Sequence, residues 1–198
     1  MKLNKISILS VLPLAAACSQ SEQLKPNVLL IIADDLGIGD VSAYDYGKIP
    51  TPNIDDLAEN GILFNNAYAT SATSTPSRYG LMTGMYPWRN SDVKILPGDA
   101  PLVVSIDAPT LPKMMQENGY QTAAIGKWHL GMGDGNVDWN KEITPAANEV
   151  GFDYTCMIAA TNDRVPTVYV EDGEVLGLDP NDPIYVNYNE NFPGELDG

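Results

Sequence analysis

Residues Asn27 to Ala33, NVLLIIA, form an unbroken apolar run rich in Leu and β-branched Ile and Val. A strand with one wet face alternates polar and apolar residues, so a run without alternation predicts a strand covered on both faces, as in a parallel sheet packed between helices. Asp34-Asp35-Leu36-Gly37 follows directly, at the strand end where open α/β sheets place their ligand sites.

The rest of the chain alternates elements in the way such a sheet requires. Thr51-Pro52-Asn53-Ile54-Asp55-Asp56-Leu57-Ala58 begins with a cap residue and a proline at the first helical position, and Gly61 ends the helix. Ile62 to Ala69 reads as a second strand. Pro76 to Thr83 predicts a helix stopped at Gly84, with Thr75 as its N-cap and Ser74 just outside it. Pro109 to Asn118 predicts another helix with a Gly119 stop, followed by a strand over Gln121 to Ile125 that leads into Gly126-Lys127-Trp128-His129-Leu130-Gly131. Strands alternating with helices give an α/β fold with a central, largely parallel sheet. After Gly151 the pattern changes: Thr167 to Leu176 alternates around Asp172-Gly173, a two-residue hairpin signal, and the tail from Asp179 reads as loop.

At 198 residues the chain suffices for one ordinary domain. Its formal net charge is −15, and from Gly151 onward Arg164 is the only basic residue. That balance excludes nucleic acid as a partner, since phosphate neutralisation needs clustered Lys and Arg. An anionic substrate must be held by local cations, because the overall field repels it.

Lys2 and Lys5 precede an apolar stretch from Ile6 to Ala17, which ends in Leu-Ala-Ala-Ala-Cys. Residues 1–17 read as a secretory signal peptide, too short for a membrane span, and the ending resembles a bacterial lipobox with lipidation at Cys18. An ordinary cleaved signal is the alternative. Residues 18–26 would then be a lipidated tether and 27–198 the folded part, exported to the periplasm or outer membrane and attached to the membrane through lipid. Cys156 would be the one remaining cysteine, which leaves no intrachain disulfide framework and makes Cys156 a buried structural thiol.

Several residues could carry chemistry. Asp34 and Asp35 suit a hard divalent cation, although Asp-Asp-Leu-Gly taken alone is more often a turn after a strand, and two carboxylates cannot complete a calcium shell of about six to eight oxygens. Asp134-Gly135-Asn136-Val137-Asp138 imitates the start of an EF-hand loop but has Trp139 and Pro145 where that loop needs Gly and Glu; it reads as a polar loop. His129 is the only histidine, which rules out a multi-histidine zinc site within these residues. Lys127 and His129 together could hold an anion and move protons. Ser74, beside a helix N-terminus and with Arg78 within reach, sits where backbone N–H groups favour negative charge. By itself TSATSTPSR also reads as a solvated loop with a good cap.

Taken in order, Asn27 to Gly37, Thr51-Pro52-Asn53-Ile54-Asp55, Ser74-Thr75-Pro76-Ser77-Arg78 with Leu81-Met82-Thr83-Gly84, Gly119 to Ala123 leading into Gly126-Lys127-Trp128-His129, and Gly151-Phe152-Asp153-Tyr154 resemble the formylglycine-dependent sulfatases over Lys25 to Tyr154. The resemblance implies an alkaline-phosphatase-like α/β sandwich that hydrolyses sulfate esters. It implies that a sulfatase-maturating enzyme oxidises Ser74 to formylglycine, whose hydrate attacks sulfur with one hydroxyl and expels sulfate through the other. It further implies that Asp34, Asp35 and the modified Ser74 ligate Ca²⁺, that Arg78 steadies the hydrate, that Lys127 contacts the sulfate oxygens and that His129 assists sulfate elimination. Serine at position 74 implies the oxygen-independent maturase and hence an anaerobic bacterium. Members of the family are usually more than twice as long, so the resemblance also implies an N-terminal, incomplete part of the catalytic domain, inactive alone, with further metal ligands and the leaving-group acid beyond residue 198.

The segments Asn162 to Pro166 and the Asp172-Gly173 hairpin resemble sulfatases acting on sulfated glycans. Arg164 is the candidate substrate contact there, and a surface arginine paired with an acid is the alternative. Two other functions remain open: a phosphodiesterase or phosphoethanolamine transferase of the same superfamily, and a non-catalytic glycan-binding lipoprotein.

Overall fold

The computed structural model describes residues 25–44, 49–188 and 190–194; the expected signal peptide and Cys18 lie outside the described residues. The chain divides into two compact units, Met1–Asn65 and Asn66–Gly198.

In the first unit, helix α1 (Pro52–Asn60) forms where Thr51-Pro52 predicted it, with Thr51 as N-cap and Gly61 following its last residue. Its first turn is fastened by side chains. The Ser42 hydroxyl donates to Asp55 Oδ2 at 2.6 Å, the Thr51 hydroxyl donates to Asp55 Oδ1 at 3.1 Å, and Thr51 N–H donates to the Ser42 oxygen at 2.9 Å. The run Asn27 to Ala33 departs from expectation, forming no strand, with Leu29 84% and Ile31 74% exposed. Ile62 to Ala69, which bridges the two units in sequence, likewise forms no strand and is exposed. Apolar β-branched composition favours a strand only when neighbours supply both the hydrogen-bond ladder and the covering face. The described sheet strands pair only with one another.

The second unit holds the sheet and the core. Its sheet is ordered β1-β2-β3-β4, with β1 (Ala123–Lys127) parallel to β2 (Tyr154–Ile158), and β3 (Tyr169–Glu171) and β4 (Glu174–Val175) added antiparallel. The β3–β4 turn falls on Asp172 (φ 44°) and Gly173 (φ 88°), the double positive φ that a two-residue hairpin requires. The β1–β2 register places Ala123 against Tyr154 and Lys127 against Ile158. Asp153, just before β2, locks that register by accepting from Thr122 N–H at 2.7 Å and from Gln116 Nε2 at 2.7 Å.

Helices α2 (Ser74–Thr83), α3 (Leu111–Glu117) and α4 (Ala147–Val150) accompany the sheet. Gly84, at φ 67°, ends α2 and donates its N–H to the Gly80 carbonyl, the left-handed stop that glycine supplies without strain. Pro112 lies in the first turn of α3, and Thr110 caps it, accepting from Lys113 N–H. The core gathers Tyr79, Val104, Trp128, Leu130, Met132, Trp139, Ile143, Val150, Met157 and Val170. Leu130 and Val150 are fully buried, and burial of side chains this size stabilises the unit by about 1.5–3 kcal/mol each. Cys156 is half-buried on β2, not fully buried as expected: alternate β2 residues face the core, and Thr155 and Met157 take those positions.

Candidate functional site

The site grows from the end of β1. Beyond Lys127 the parallel ladder continues for two residues, as Trp128 N–H donates to the Ile158 carbonyl at 3.1 Å and His129 N–H to the Ala159 carbonyl at 2.9 Å. Trp128 turns into the core, its indole N–H donating to the Gly131 carbonyl at 2.7 Å. His129 then adopts φ 57°, a left-handed conformation that costs a non-glycine residue on the order of 1–3 kcal/mol and persists only when the surroundings fix it. Here they do. The ladder holds its N–H, and the hydroxyl of fully buried Thr75 donates to its carbonyl at 2.8 Å.

That contact overturns the expected role of Thr75. The N-cap of α2 is Thr73, whose extended backbone (φ −119°, ψ 156°) precedes the helix and whose carbonyl accepts from Ser77 N–H at 3.0 Å. Pro76 occupies the third helical position; the first turn needs no intrahelical N–H there. Ser74 therefore opens the helix, and Thr75 points inward to His129. Because Ser74 and Arg78 are four residues apart on one helix, they share a face, and Arg78 Nε donates to Ser74 Oγ at 3.2 Å. Arg78 Nη1 also donates to the Lys127 carbonyl at 2.8 Å. Two hydrogen bonds to backbone carbonyls thus join the start of α2 to the exit of β1, one through Arg78 and one through Thr75.

The consequence is a close pair: His129 Nδ1 lies 2.9 Å from Ser74 Oγ. The other ring nitrogen, Nε2, lies 2.9 Å from the Leu96 carbonyl. His129 is only 2% exposed, and burial holds the imidazole below its ordinary pKa, partly opposed by the Leu96 hydrogen bond and reinforced by the positive charges of Lys127, Arg164 and Arg78. His129 is accordingly neutral near pH 7, with one nitrogen able to accept a proton. The four residues Ser74, Arg78, Lys127 and His129 expected to act together lie at one helix–strand junction.

Arg164, expected either at the substrate or beside a surface acid, is half-buried. Its Nη1 donates to the Leu96 carbonyl and lies 3.3 Å from His129 Nε2. Residue pattern gives no sign of the Leu96 carbonyl, because it is a backbone group in a segment without regular structure. Thr75 was visible in the sequence as a hydroxyl, but its inward direction depends on where the helix starts.

Asp34 and Asp35 are exposed, and Asp35 has φ 55°. Their oxygens are the donor type that calcium takes, but two carboxylates do not fill its shell. Among the described residues no group of three His, Cys, Asp or Glu could hold a metal. The loop from Asp134 to Asp138 is a polar turn, with Asp134 accepting from Asn136 N–H at 3.0 Å and Asp138 paired with Lys141 at 2.7 Å. Among the described residues no helix is long and apolar enough to cross a membrane.

The sulfatase family model matches residues 26–175. An N-acetylgalactosamine-6-O-sulfatase of Bacteroides thetaiotaomicron is 53% identical over 196 residues, covering 93% of this chain and 38% of that protein. Human steryl-sulfatase is 43% identical over 147 residues, covering 71% of this chain and 24% of that protein. A solved structure from work on the metabolism of multiple glycosaminoglycans by Bacteroides thetaiotaomicron aligns with a TM-score of 0.83 at 56% identity, over 85% of this chain and 35% of that one. The chain thus spans well under half the length of the relatives it matches, and its α/β architecture is the alkaline-phosphatase-like one expected. With a model match over most of its length and a junction of Ser74, Arg78, Lys127 and His129 behind it, the chain belongs to the sulfatase family.

Proposed function

We propose that the protein hydrolyses sulfate esters of glycans, with residue 74 as the nucleophile after oxidation of Ser74 to formylglycine. The observation that carries this reading is the 2.9 Å approach of His129 Nδ1 to Ser74 Oγ, with Arg78 Nε on the same oxygen. A hydroxyl between a neutral imidazole and a guanidinium is oriented and can lose its proton, the arrangement a nucleophile needs. Formylglycine, once hydrated, supplies a second hydroxyl on the same carbon.

The chain's own residues then divide the work. Arg78 holds the oxygen at position 74 by its Nε–H and is itself held by the Lys127 carbonyl. His129 Nδ1 takes up a proton from a hydroxyl at that position. Lys127 and Arg78 supply positive charge where a sulfuryl group would gather negative charge, compensating locally for a chain of net charge −15. Asp34 and Asp35 would supply two carboxylates toward Ca²⁺, which would add a Lewis-acidic positive charge; two carboxylates would need further ligands to complete its shell. Sulfated sugar as substrate is supported by the N-acetylgalactosamine-6-O-sulfatase relative. Cys18 as a lipid attachment point and export to the cell envelope belong to the same proposal, as does maturation by an oxygen-independent enzyme.

The test is turnover by the full-length protein, co-expressed with such a maturase, of a sulfated aminosugar and of the matching phosphate ester. Sulfate release that disappears in Ser74→Ala supports the reading. Release of phosphate but not sulfate identifies a phosphoesterase instead, and tight binding of the sulfated sugar without turnover identifies a glycan-binding protein.

A further inference from the structure

The turn that follows α2 presents two aromatic rings to solvent. Residues Pro87–Arg89 form a 3-10 turn with buried Pro87 at its first position. Its backbone closes on itself, as Arg89 N–H donates to the Tyr86 carbonyl and Asn90 N–H to the Pro87 carbonyl, each at 3.1 Å. Proline fixes φ there and the turn packs against α2, so its side chains stand on a fixed backbone. Tyr86 and Trp88 stack with ring centroids 4.1 Å apart and planes 15° from parallel, yet they remain 54% and 70% exposed. A stacked pair covers one face of each ring and leaves the other outward. Unlike the exposed aliphatic residues of the chain, these rings combine an apolar face with a polar rim, the phenol O–H and the indole N–H. They match a pyranose, which has an apolar C–H face bordered by hydroxyls.

The charge beside the rings is opposite to that of the chain. Between Tyr86 and Ile95 stand two cations, Arg89 and Lys94, and one acid, Asp92, in a chain of net charge −15, and both cations are exposed. Other cations of the same unit are engaged within it: Arg78 with Ser74 and the Lys127 carbonyl, Lys113 with the Ile106 carbonyl, Lys141 with Asp138, and Arg164 with the Leu96 carbonyl. An exposed guanidinium beside an aromatic face suits the sulfate or carboxylate group of an acidic sugar. We infer that Tyr86, Trp88 and Arg89 form a second binding platform, set apart from residue 74, for a sulfated polysaccharide chain. Helix α2 starts at Ser74, and its ten residues rise about 15 Å before the chain reaches the rings. The segment that carries them runs on to Leu96, whose carbonyl lies 2.9 Å from His129 Nε2, so one short stretch of backbone links platform and site. A polymer can engage both at once, which raises the local concentration of its sulfate esters at residue 74; a single sugar cannot.

The platform deepens the sulfated-glycan reading and rests on it, so binding and turnover are measured separately. Binding of full-length protein to immobilised chondroitin 6-sulfate is compared for Trp88→Ala and Arg89→Gln, each in a Ser74→Ala background that leaves the polymer intact. Turnover of 4-nitrophenyl sulfate is compared in the same two variants with Ser74 retained and matured. The expected result is a polymer Kd raised about tenfold or more by Trp88→Ala, with kcat and KM for 4-nitrophenyl sulfate within about twofold of wild type, as for a surface change away from the site. Arg89→Gln is expected to weaken polymer binding at low salt and to reduce its salt dependence. A polymer Kd unchanged by Trp88→Ala overturns the inference; if that variant fails to fold, an Arg89→Gln protein that binds as its parent does overturns it equally. A parallel loss of 4-nitrophenyl sulfate turnover overturns it too, making the rings a support for α2. Self-association of the parent that Trp88→Ala abolishes, with polymer binding unchanged, makes them a protein contact instead. Polymer binding that depends on Trp88, in a protein whose matured wild type releases no sulfate, rejects the hydrolase reading and upholds the platform.

Discussion

At the scale of single residues the site is a set of restraints on one imidazole. His129 is held by its N–H, its carbonyl and both ring nitrogens, which is what allows a buried non-glycine residue to keep φ 57°. His129→Ala in the active protein should lower kcat by about 10²–10⁴-fold, the usual contribution of a positioned acid or base, while the protein remains folded by circular dichroism. Thr75→Val keeps shape but strands the His129 carbonyl in the interior. It should cost about 1–3 kcal/mol in urea unfolding, the penalty for an unsatisfied buried polar group, and lower kcat as well. Ser74, Arg78, Lys127 and His129 could be picked out as candidates from sequence because they fall in motifs that resemble those of the sulfatases. The Thr75 contact and the Leu96 carbonyl could not, since one depends on a helix starting one residue after Thr73 and the other on a backbone oxygen that every residue possesses.

At the scale of elements, punctuation decided what could be foreseen. Thr51-Pro52, Gly84 and Asp172-Gly173 act through φ restrictions and caps that are local, and the structure places helix ends and a hairpin there, whereas the helix expected from Pro109 begins only at Leu111, with Thr110 as its cap. The strands expected at Asn27 to Ala33 and Ile62 to Ala69 depend on partners distant in sequence, and local composition does not report them. Gly131 shows how strict the loop after β1 is: it has φ 77°, and a side chain there would overlap the Pro101 carbonyl. Gly131→Ala should lower the midpoint of thermal unfolding, with a cost of at least about 1–2 kcal/mol from the left-handed backbone alone.

Two carboxylates set the acid limit of the sheet. Asp153 is held below the usual carboxylate range, chiefly by the Thr122 backbone N–H and hydroxyl, and Asp172 likewise by Asn148 and the Thr155 N–H. Their folded pKa values are depressed, so their contribution is fully present above the unfolded value of about 3.9 and is lost as pH falls through the folded values. The urea midpoint should therefore fall in two stages, first below about pH 6.5 as the unfolded state gains the proton that buried His129 resists, and again below about pH 4 as these carboxylates are neutralised. Asp172→Asn should flatten the second stage and leave the first unchanged.

At the scale of the whole molecule, the chain covers 38% of its N-acetylgalactosamine-6-O-sulfatase relative, and the junction of α2 with β1 is where the proposed nucleophile sits. Asp34 and Asp35 lie in the other compact unit. In the full-length protein, chelation should abolish turnover and added Ca²⁺ should restore it, with Asp35→Ala needing more Ca²⁺ for half-maximal recovery. The family was legible because several motifs occur in register, each of them weak alone; the approach of His129 to the Leu96 carbonyl was not, because it joins residues brought together only by folding.

The central claim is that Ser74 is the precursor of the nucleophile, and peptide mass spectrometry tests it most directly. The peptide containing Ser74, taken from full-length protein co-expressed with an oxygen-independent maturase, is predicted to be lighter by two hydrogen atoms at position 74 and to react with a carbonyl-specific hydrazine. Recovery of intact serine alone, from protein that hydrolyses sulfate esters, would contradict the account.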